Sequence, residues 1–318
     1  MTELEFFGLM NRMGIDPNVA ITSKETNKES FKETDFSQIR EKELDLFFDF
    51  ENEIFTLSAN NKLCHLTEKE AFEILQDSEL RKRVHDLKNL YKYCFKKGVE
   101  IKNVTFDSLL AGYLCNPSSN SYEIDRLAAE YGVSANYDGD EAMKKAATFS
   151  LVCNELKKQL EANSQDSLLL EIEIPLAIVL GDMELEGVLI DSDALKDHGE
   201  ELTVRIAELE QRIYDLVGYE FNVNSPKQLG VALFEKLGLP AKKKTKSGYA
   251  TGAEVLEELR DHHPAVSLIL AYRGLAKLKS TYCDSLLDSV AEDGRIHSTF
   301  NQTETRTGRI SSLEPNLQ

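Results

Sequence analysis

Hydrophobic and polar positions divide the chain into stretches of different period. Residues 4–13 form one short amphipathic pattern closed by Gly14 and Pro17, and residues 18–43 are polar with isolated aromatics, so they read as a tether. Alternation starts at Leu44. Two aromatic-rich runs, residues 44–50 and 53–58, are split by Glu51 and Asn52, the pattern of a β-hairpin, and Asn60-Asn61 offers a second turn before a run over 62–66. Helical periods follow at 68–76, 86–97, 106–114, 122–131 and 141–162. Strands first and helices after them predict an α/β layer with one sheet.

A polar break at 163–167 precedes a different texture. Over 168–186 the apolar positions Leu169, Ile172, Leu176, Val179, Leu180 and Met183 keep a helical period interrupted only by Pro175. Residues 192–217 carry Leu195, Leu202, Ile206, Leu209, Ile213 and Leu216 in a sustained stripe, so long antiparallel helices are expected. Ser225-Pro226-Lys227 is a helix start, with Ser225 as the cap and Pro226 in the first position. Thr251-Gly-Ala-Glu254 reads as a capping box, and His262-His263 before Pro264 as a helix-end turn. A last helix turns Ile269, Leu275, Leu278, Tyr282 and Leu286 inward and leaves Arg273, Lys277, Ser280 and Asp284 on the other face. After Gly294 comes a strand, then a segment at 305–312 rich in side-chain donors.

Composition adds a size and a compartment. At 318 residues and 42% hydrophobic the chain buries a sizeable core, in two domains by length. No apolar run approaches a membrane span, no basic segment followed by an apolar one opens the chain, and five scattered cysteines lack metal or redox spacing; a cytoplasmic setting is expected. The net charge of −18 argues against a nucleic-acid partner until it is divided. Residues 241–318 hold eleven Lys and Arg against ten Asp and Glu, so the acidic excess lies in the first 240 residues. An acidic body with a locally basic C-terminal third suits a protein that meets an anion with one surface; the composition alone favours an ordinary acidic protein with a solvated charge mixture.

Three places carry candidate chemistry. Arg273 and Lys277 stack four apart without an acidic neighbour at helical spacing, an arrangement that a phosphate backbone relieves. The loop Lys242-Lys-Lys-Thr-Lys246 holds Lys242, Lys243, Lys244 and Lys246 with no acid among them, so it is solvated; it solubilises, or it holds phosphates without reading sequence. A helix start with Lys227 and free amides is also a phosphate site, although capping alone accounts for Ser225 and Pro226.

Longer motifs resolve these alternatives. The run from Tyr272 to Tyr282, then Gly294-Arg-Ile-His297, Phe300-Asn-Gln-Thr303, Thr307-Gly-Arg-Ile-Ser-Ser312 and Pro315-Asn-Leu-Gln318, together with the segments 221–229 and 243–249, resembles the family-A DNA polymerases of the bacterial DNA polymerase I type. The resemblance implies an α/β ribonuclease-H-like 3′-to-5′ exonuclease domain followed by an all-α polymerase thumb and the first strand of the palm. It implies a linker over 1–43 leading from a 5′ nuclease domain, an exonuclease-like domain over 44–166, a thumb over 167–294 and the start of a palm over 295–318. Primer-template DNA is the implied partner, with Asn222, Asn224, Ser225, Lys227, Lys242, Lys243, Lys244, Lys246, Arg273, Lys277, Ser280, Thr307, Arg309, Ser311, Asn316 and Gln318 as its contacts. Of these, Arg309, Asn316 and Gln318 fall beside the primer terminus. A donor there meets the minor-groove acceptors shared by every base pair, so it checks geometry without choosing a sequence. Deoxynucleotides and two Mg²⁺ ions belong to the parent polymerase, whose metal-binding aspartates follow Gln318 in the family; this chain is expected to hold no metal, to be inactive alone and to be a monomer.

The exonuclease chemistry of the family needs carboxylates converging on two metal ions. Asp49 and Glu51 supply the first motif, but Lys92 or Cys94 falls where the family has an aspartate, and residues 143–154 contain no carboxylate. An inactive nuclease domain is expected. The competing readings are a stand-alone DNA-binding module and a residual nuclease.

Overall fold

The computed structural model describes residues 27–241, 244–245 and 248–318, so the helix expected over 4–13 lies outside them. Two compact units emerge: Met1–Glu186 together with Thr299–Gln318, and Gly187–Ser298.

The first unit is built on a six-stranded mixed sheet. Its early strands are β1 (Asn27–Ser30), β2 (Lys32–Glu33), β3 (Glu43–Asp49), β4 (Ile54–Ala59) and β5 (Lys62–Leu66). The stretch expected to be a tether is therefore partly strand: β2 pairs parallel with β5, and β1 joins a later strand. β3, β4 and β5 form the expected antiparallel meander, and Asn60 and Asn61 turn it at φ 47° and 60°, the left-handed pair that a two-residue hairpin demands. Helix α1 (Glu68–Gln76) opens with a reciprocal capping box between Thr67 and Glu70.

One inner strand has no apolar alternation to announce it. β6 (Arg81–Val84) has Lys82, Arg83 and Val84 buried, and it lies between β3 and β7 (Val104–Asp107), giving the order β2-β5-β4-β3-β6-β7. Phe106 and Asp107, expected to start a helix, instead end β7. The Asp107 carboxylate then caps α3 (Ser108–Cys115), after α2 (Leu87–Lys96) has crossed back over the sheet. α4 (Ile124–Tyr131), β8 (Val133–Asn136, parallel to β1) and the long α5 (Glu141–Asn163) complete the layer. Leu46, Leu57, Leu63, Leu90 and Phe149 are fully buried in its core.

Past α5 the chain runs through a short turn, a π-helical segment (Leu169–Glu173) and α6 (Ile174–Glu186). Pro175 lies inside this continuous helical run, directly after the π-helical segment, where the local change in hydrogen-bond pattern accommodates a residue with no N–H. The buried face is Leu169, Ile174, Ala177, Leu180 and Glu184, whereas Ile172, Val179 and Met183 are exposed. The inward stripe expected from the sequence is thus displaced around the helix. The segment 167–186 also belongs to the first unit rather than to the helical one.

The second unit begins at β9 (Val188–Leu189) and α7 (Ser192–Val217), which spans the residues expected of it and ends at Gly218 with φ 90°. α8 (Pro226–Gly230) runs on as a π-helix through Val231–Lys236. A two-residue hairpin follows, β10 (Lys244–Thr245) against β11 (Gly248–Tyr249), then α9 (Ala253–Glu258). The cap of α9 is Gly252, with no side-chain bond; Thr251 is buried instead, so the expected capping box does not form. His263 accepts the amide of Ala265 and starts α10 (Pro264–Leu278), which continues as π-helix through Lys279–Asp284 into α11 (Ser285–Asp288). Ala265, Ile269, Tyr272 and Cys283 face inward, while Leu278 and Tyr282, expected there, are exposed. β12 (Arg295–Ile296) pairs with β9 and closes the unit. The chain then returns to the first unit as the hairpin β13 (Thr299–Asn301) and β14 (Ser311–Leu313).

Candidate nucleic-acid interface

In the second unit the helix start behaves as its sequence predicts. Ser225 accepts the amide of Gln228, Pro226 occupies the first position, and Lys227 is exposed in the first turn. Asn222 is a brace for this corner: its amide donates to Gln228 Oε1 (2.8 Å) and its carbonyl oxygen Oδ1 accepts from the Asn224 amide (2.9 Å). Asn224 then donates through Nδ2 to the hydroxyl of Tyr272 (3.1 Å), which ties the corner to α10 one residue before Arg273.

Arg273 departs from the expected free cation. It is half-buried and donates through Nη1 to the Thr251 carbonyl (2.5 Å), and burial lowers its pKa from the ordinary value. Thr251 is itself buried, so its carbonyl is out of reach of water and takes the guanidinium as its donor. Lys277 is exposed, and neither it nor Lys227 has an ion-pair partner among the described residues. Ser280 spends its hydroxyl on the carbonyl of Lys277 (3.3 Å).

Lys242, Lys243 and Lys246 lie outside the described residues. The backbone of Lys244 is in β10, opposite Tyr249. Tyr249 anchors the hairpin, since its ring lies 4.8 Å from that of Phe234 and a Cβ on Gly230 would meet it at 3.0 Å.

The other candidates sit on the β13–β14 hairpin and the residues after it. Thr307, Arg309 and Asn316 are exposed. Thr305 donates to the Arg309 carbonyl (2.5 Å), and Gln318, through Nε2, to the Ile310 carbonyl (2.8 Å), so the loop closes on itself while the Arg309 side chain stays outside. The Ser311 hydroxyl is buried without a hydrogen-bond partner, which withdraws it from the surface.

The carboxylates proposed for metal chemistry do not gather. Asp49 accepts from the amides of Glu51 (3.0 Å) and Asn52 (3.3 Å) and from Asn52 Nδ2 (2.9 Å); the Asn52 side chain, more than any other group, holds its carboxyl below the usual range. It serves as the cap of the β3–β4 turn, and Glu51 is exposed beside it. Lys92 pairs with Glu184, and burial pushes the Cys94 thiol up to about 12. Phe47 lies against Phe149 (5.7 Å) and His85 (6.4 Å), so the inner face of β3 meets α5 through rings. Among the described residues no group of three or more His, Cys, Asp or Glu side chains comes together as a metal site requires.

Sequence reasoning missed the buried polar set of this unit. Asp45 on β3 accepts from Nε and Nη2 of Arg83 and from the hydroxyl of Ser150, and the other arm of Arg83, Nη1, donates to Asn154 (2.8 Å). Asp107 is fully buried; burial raises its carboxyl, although it accepts the amides of Leu87 (2.6 Å) and Leu109 (2.7 Å). His85 shares a hydrogen bond with Ser108 (2.7 Å) beside it.

A ribonuclease-H-like layer followed in the chain by a helical unit defines a class, and comparison with known proteins gives it a family. The sequence profile of DNA polymerase family A matches residues 192–318, and that of the DNA polymerase I ribonuclease H-like domain matches residues 45–147. The chain belongs to DNA polymerase family A. Its relatives are the bacterial DNA polymerase I proteins: that of Bacillus subtilis (strain 168) is 42% identical over 273 residues, covering 79% of this chain and 31% of the relative. That of Caldicellulosiruptor bescii is 38% identical over 332 residues, covering 100% of this chain and 39% of the relative. The chain thus spans about a third of the length of these curated relatives. Among solved structures, the POL domain of Pol1 from M. smegmatis, in complex with DNA primer-template and dNTP, aligns with a TM-score of 0.72 and 34% identity over 83% of this chain and 48% of that one. No helix among the described residues is long and apolar enough to cross a membrane.

Proposed function

We propose that this chain binds primer-template DNA without sequence preference, as the duplex-holding part of a DNA-directed DNA polymerase of replication and repair. The observation that carries the reading is the corner at Asn222–Lys227. Its asparagines are spent on bracing, Asn224 locks it to α10, and the two exposed lysines, Lys227 and Lys277, have no acidic partner among the described residues. A rigid frame presenting unpaired cations fits a regular array of phosphates. The relative solved with primer-template and dNTP supports the same partner.

In the parent reaction Mg²⁺ would supply Lewis-acid activation of nucleotide phosphates. The described residues of this chain offer no cluster to hold it, so what they contribute is grip on the duplex. The ribonuclease-H-like layer is proposed as a structural domain, its Asp49 committed to a turn. A cytoplasmic monomer fits this role.

Fluorescence anisotropy with a labelled primer-template tests the reading. With roughly four to six phosphate contacts, log K falls against log salt with a slope of about −4 to −5. Lys227→Ala and Lys277→Ala each make that slope shallower by about one. Tight binding insensitive to salt, or no binding at low salt, rules the reading out.

A further inference from the structure

The first unit contains a charge cluster that neither the lost nuclease nor the thumb explains. Glu184 on α6 receives two ammonium groups from successive turns of α2: Lys88 at 2.5 Å on Oε1, and Lys92 on Oε2. The Glu184 side chain is 5% exposed and that of Lys88 13%. Burial alone would raise the Glu184 carboxyl, but hydrogen bonds from Lys88, Lys92 and the Phe300 amide outweigh it and hold it below the ordinary value.

One lysine suffices to neutralise one carboxylate. A second desolvated ammonium adds cost unless it finds another acceptor. Lys88 finds it in the carbonyl of Phe300 (2.7 Å), while the Phe300 amide donates to Glu184 Oε1 (2.9 Å). Both main-chain polar groups of Phe300, in the middle of β13, therefore end on the cluster. Further along, Gln302 donates to the Glu173 carbonyl (3.0 Å), and the Tyr113 hydroxyl to the carbonyl of Thr305 (2.8 Å). The hairpin itself has only three paired positions, Thr299 with Leu313, Phe300 with Ser312 and Asn301 with Ser311. A two-stranded ribbon of that length is marginal by itself.

We infer that Lys88, Lys92 and Glu184 are positioning residues for DNA contact: they clamp β13 and, through it, fix the loop that presents Thr307 and Arg309. The inference rests on the DNA-binding reading above. It gives the ribonuclease-H-like layer a present task, which is to hold a nucleic-acid-facing hairpin through α2 and α6.

Lys88→Met is the informative variant, because it leaves Glu184 and Lys92 as a one-to-one pair and so preserves charge balance in the fold. Without DNA, amide hydrogen exchange over 299–313 becomes about tenfold faster or more in the variant, while β3 to β5 exchange as before. Unchanged exchange in the hairpin overturns the clamp. With DNA, Lys88→Met weakens primer-template binding by about five- to tenfold, and Arg309→Ala adds nothing further in that background, whereas Lys227→Ala still exerts its full effect. Additive losses from Lys88→Met and Arg309→Ala overturn the link to DNA. Should the unaltered chain fail to bind primer-template at low salt, the DNA-binding reading falls and takes that link with it, while the exchange measurement still decides whether the clamp exists.

Discussion

At the scale of single residues, the unit is distinguished by charges placed where apolar side chains are the rule. Lys82 is among the largest fully buried side chains of the described residues, with its ammonium on the carbonyl of Asp77 (2.5 Å), and burial pushes its pKa down from 10.5 to about 8. The folded chain thus binds that proton more weakly than the unfolded one, so stability rises with pH between about 8 and 10.5 and is level below that window. Lys82→Met removes the rise and stabilises the protein at pH 7 by roughly 1–3 kcal/mol; denaturant titrations at pH 7, 8.5 and 10 give both numbers. A variant that is less stable than the parent at pH 7 shows that the hydrogen bond to Asp77 outweighs the desolvation. Strand β6 was illegible in the sequence for the same reason: Arg81-Lys82-Arg83 gives no alternation, and its burial is made tolerable by the nearby Asp77 carbonyl and by Asp45 and Asn154, distant along the chain. Arg273 teaches the converse. Its position on α10 was readable, but its engagement with the buried Thr251 carbonyl, 22 residues earlier in the chain, was not, and Arg273→Ala should cost about 1–2 kcal/mol in thermal stability beside any loss of DNA affinity.

At the scale of elements, what was legible had local causes. The Asn60-Asn61 turn and the Ser225-Pro226 start each follow from the φ or hydrogen-bond needs of the residues themselves. The inward faces of α6 and of the helix from Pro264 were not legible, because π-helical segments adjoin both and the choice of face follows from what packs on it. The lysine tip divides the same way. Its composition announces a charged loop, yet its anchoring by Tyr249 over Gly230 is a tertiary fact. Changing Lys242, Lys243, Lys244 and Lys246 together to Ala should leave the melting temperature almost unmoved and make the salt slope of DNA binding shallower. Gly230→Val should do the opposite first. It drives a branched side chain into Tyr249, lowers stability by roughly 1–3 kcal/mol and weakens binding with every lysine intact. Calorimetry and anisotropy on the two variants separate grip from support.

At the scale of the whole molecule, two cores stand apart: one around Leu46, Leu57 and Phe149, the other around Ile213, Val223 and Ile269. Separate cores predict separate unfolding. Ile213→Ala, at a fully buried site, should lower the midpoint of one calorimetric transition by about 2–5 kcal/mol of stability and leave the other in place; a joint shift would show that the two unfold as one.

Discontinuity of the first unit has a consequence for synthesis. Its strand β13 arrives only after residues 187–298 have been made, and β9 and β12, paired with each other, bring the exit of the helical insertion back to its entry. At about 5–20 residues per second, the ribosome leaves α2 and α6 waiting on the order of ten seconds for Phe300. During that interval Lys88 and Glu184 lack the Phe300 main chain, the nascent layer is incomplete on one side, and a chaperone or protease meets a surface that the finished protein no longer offers.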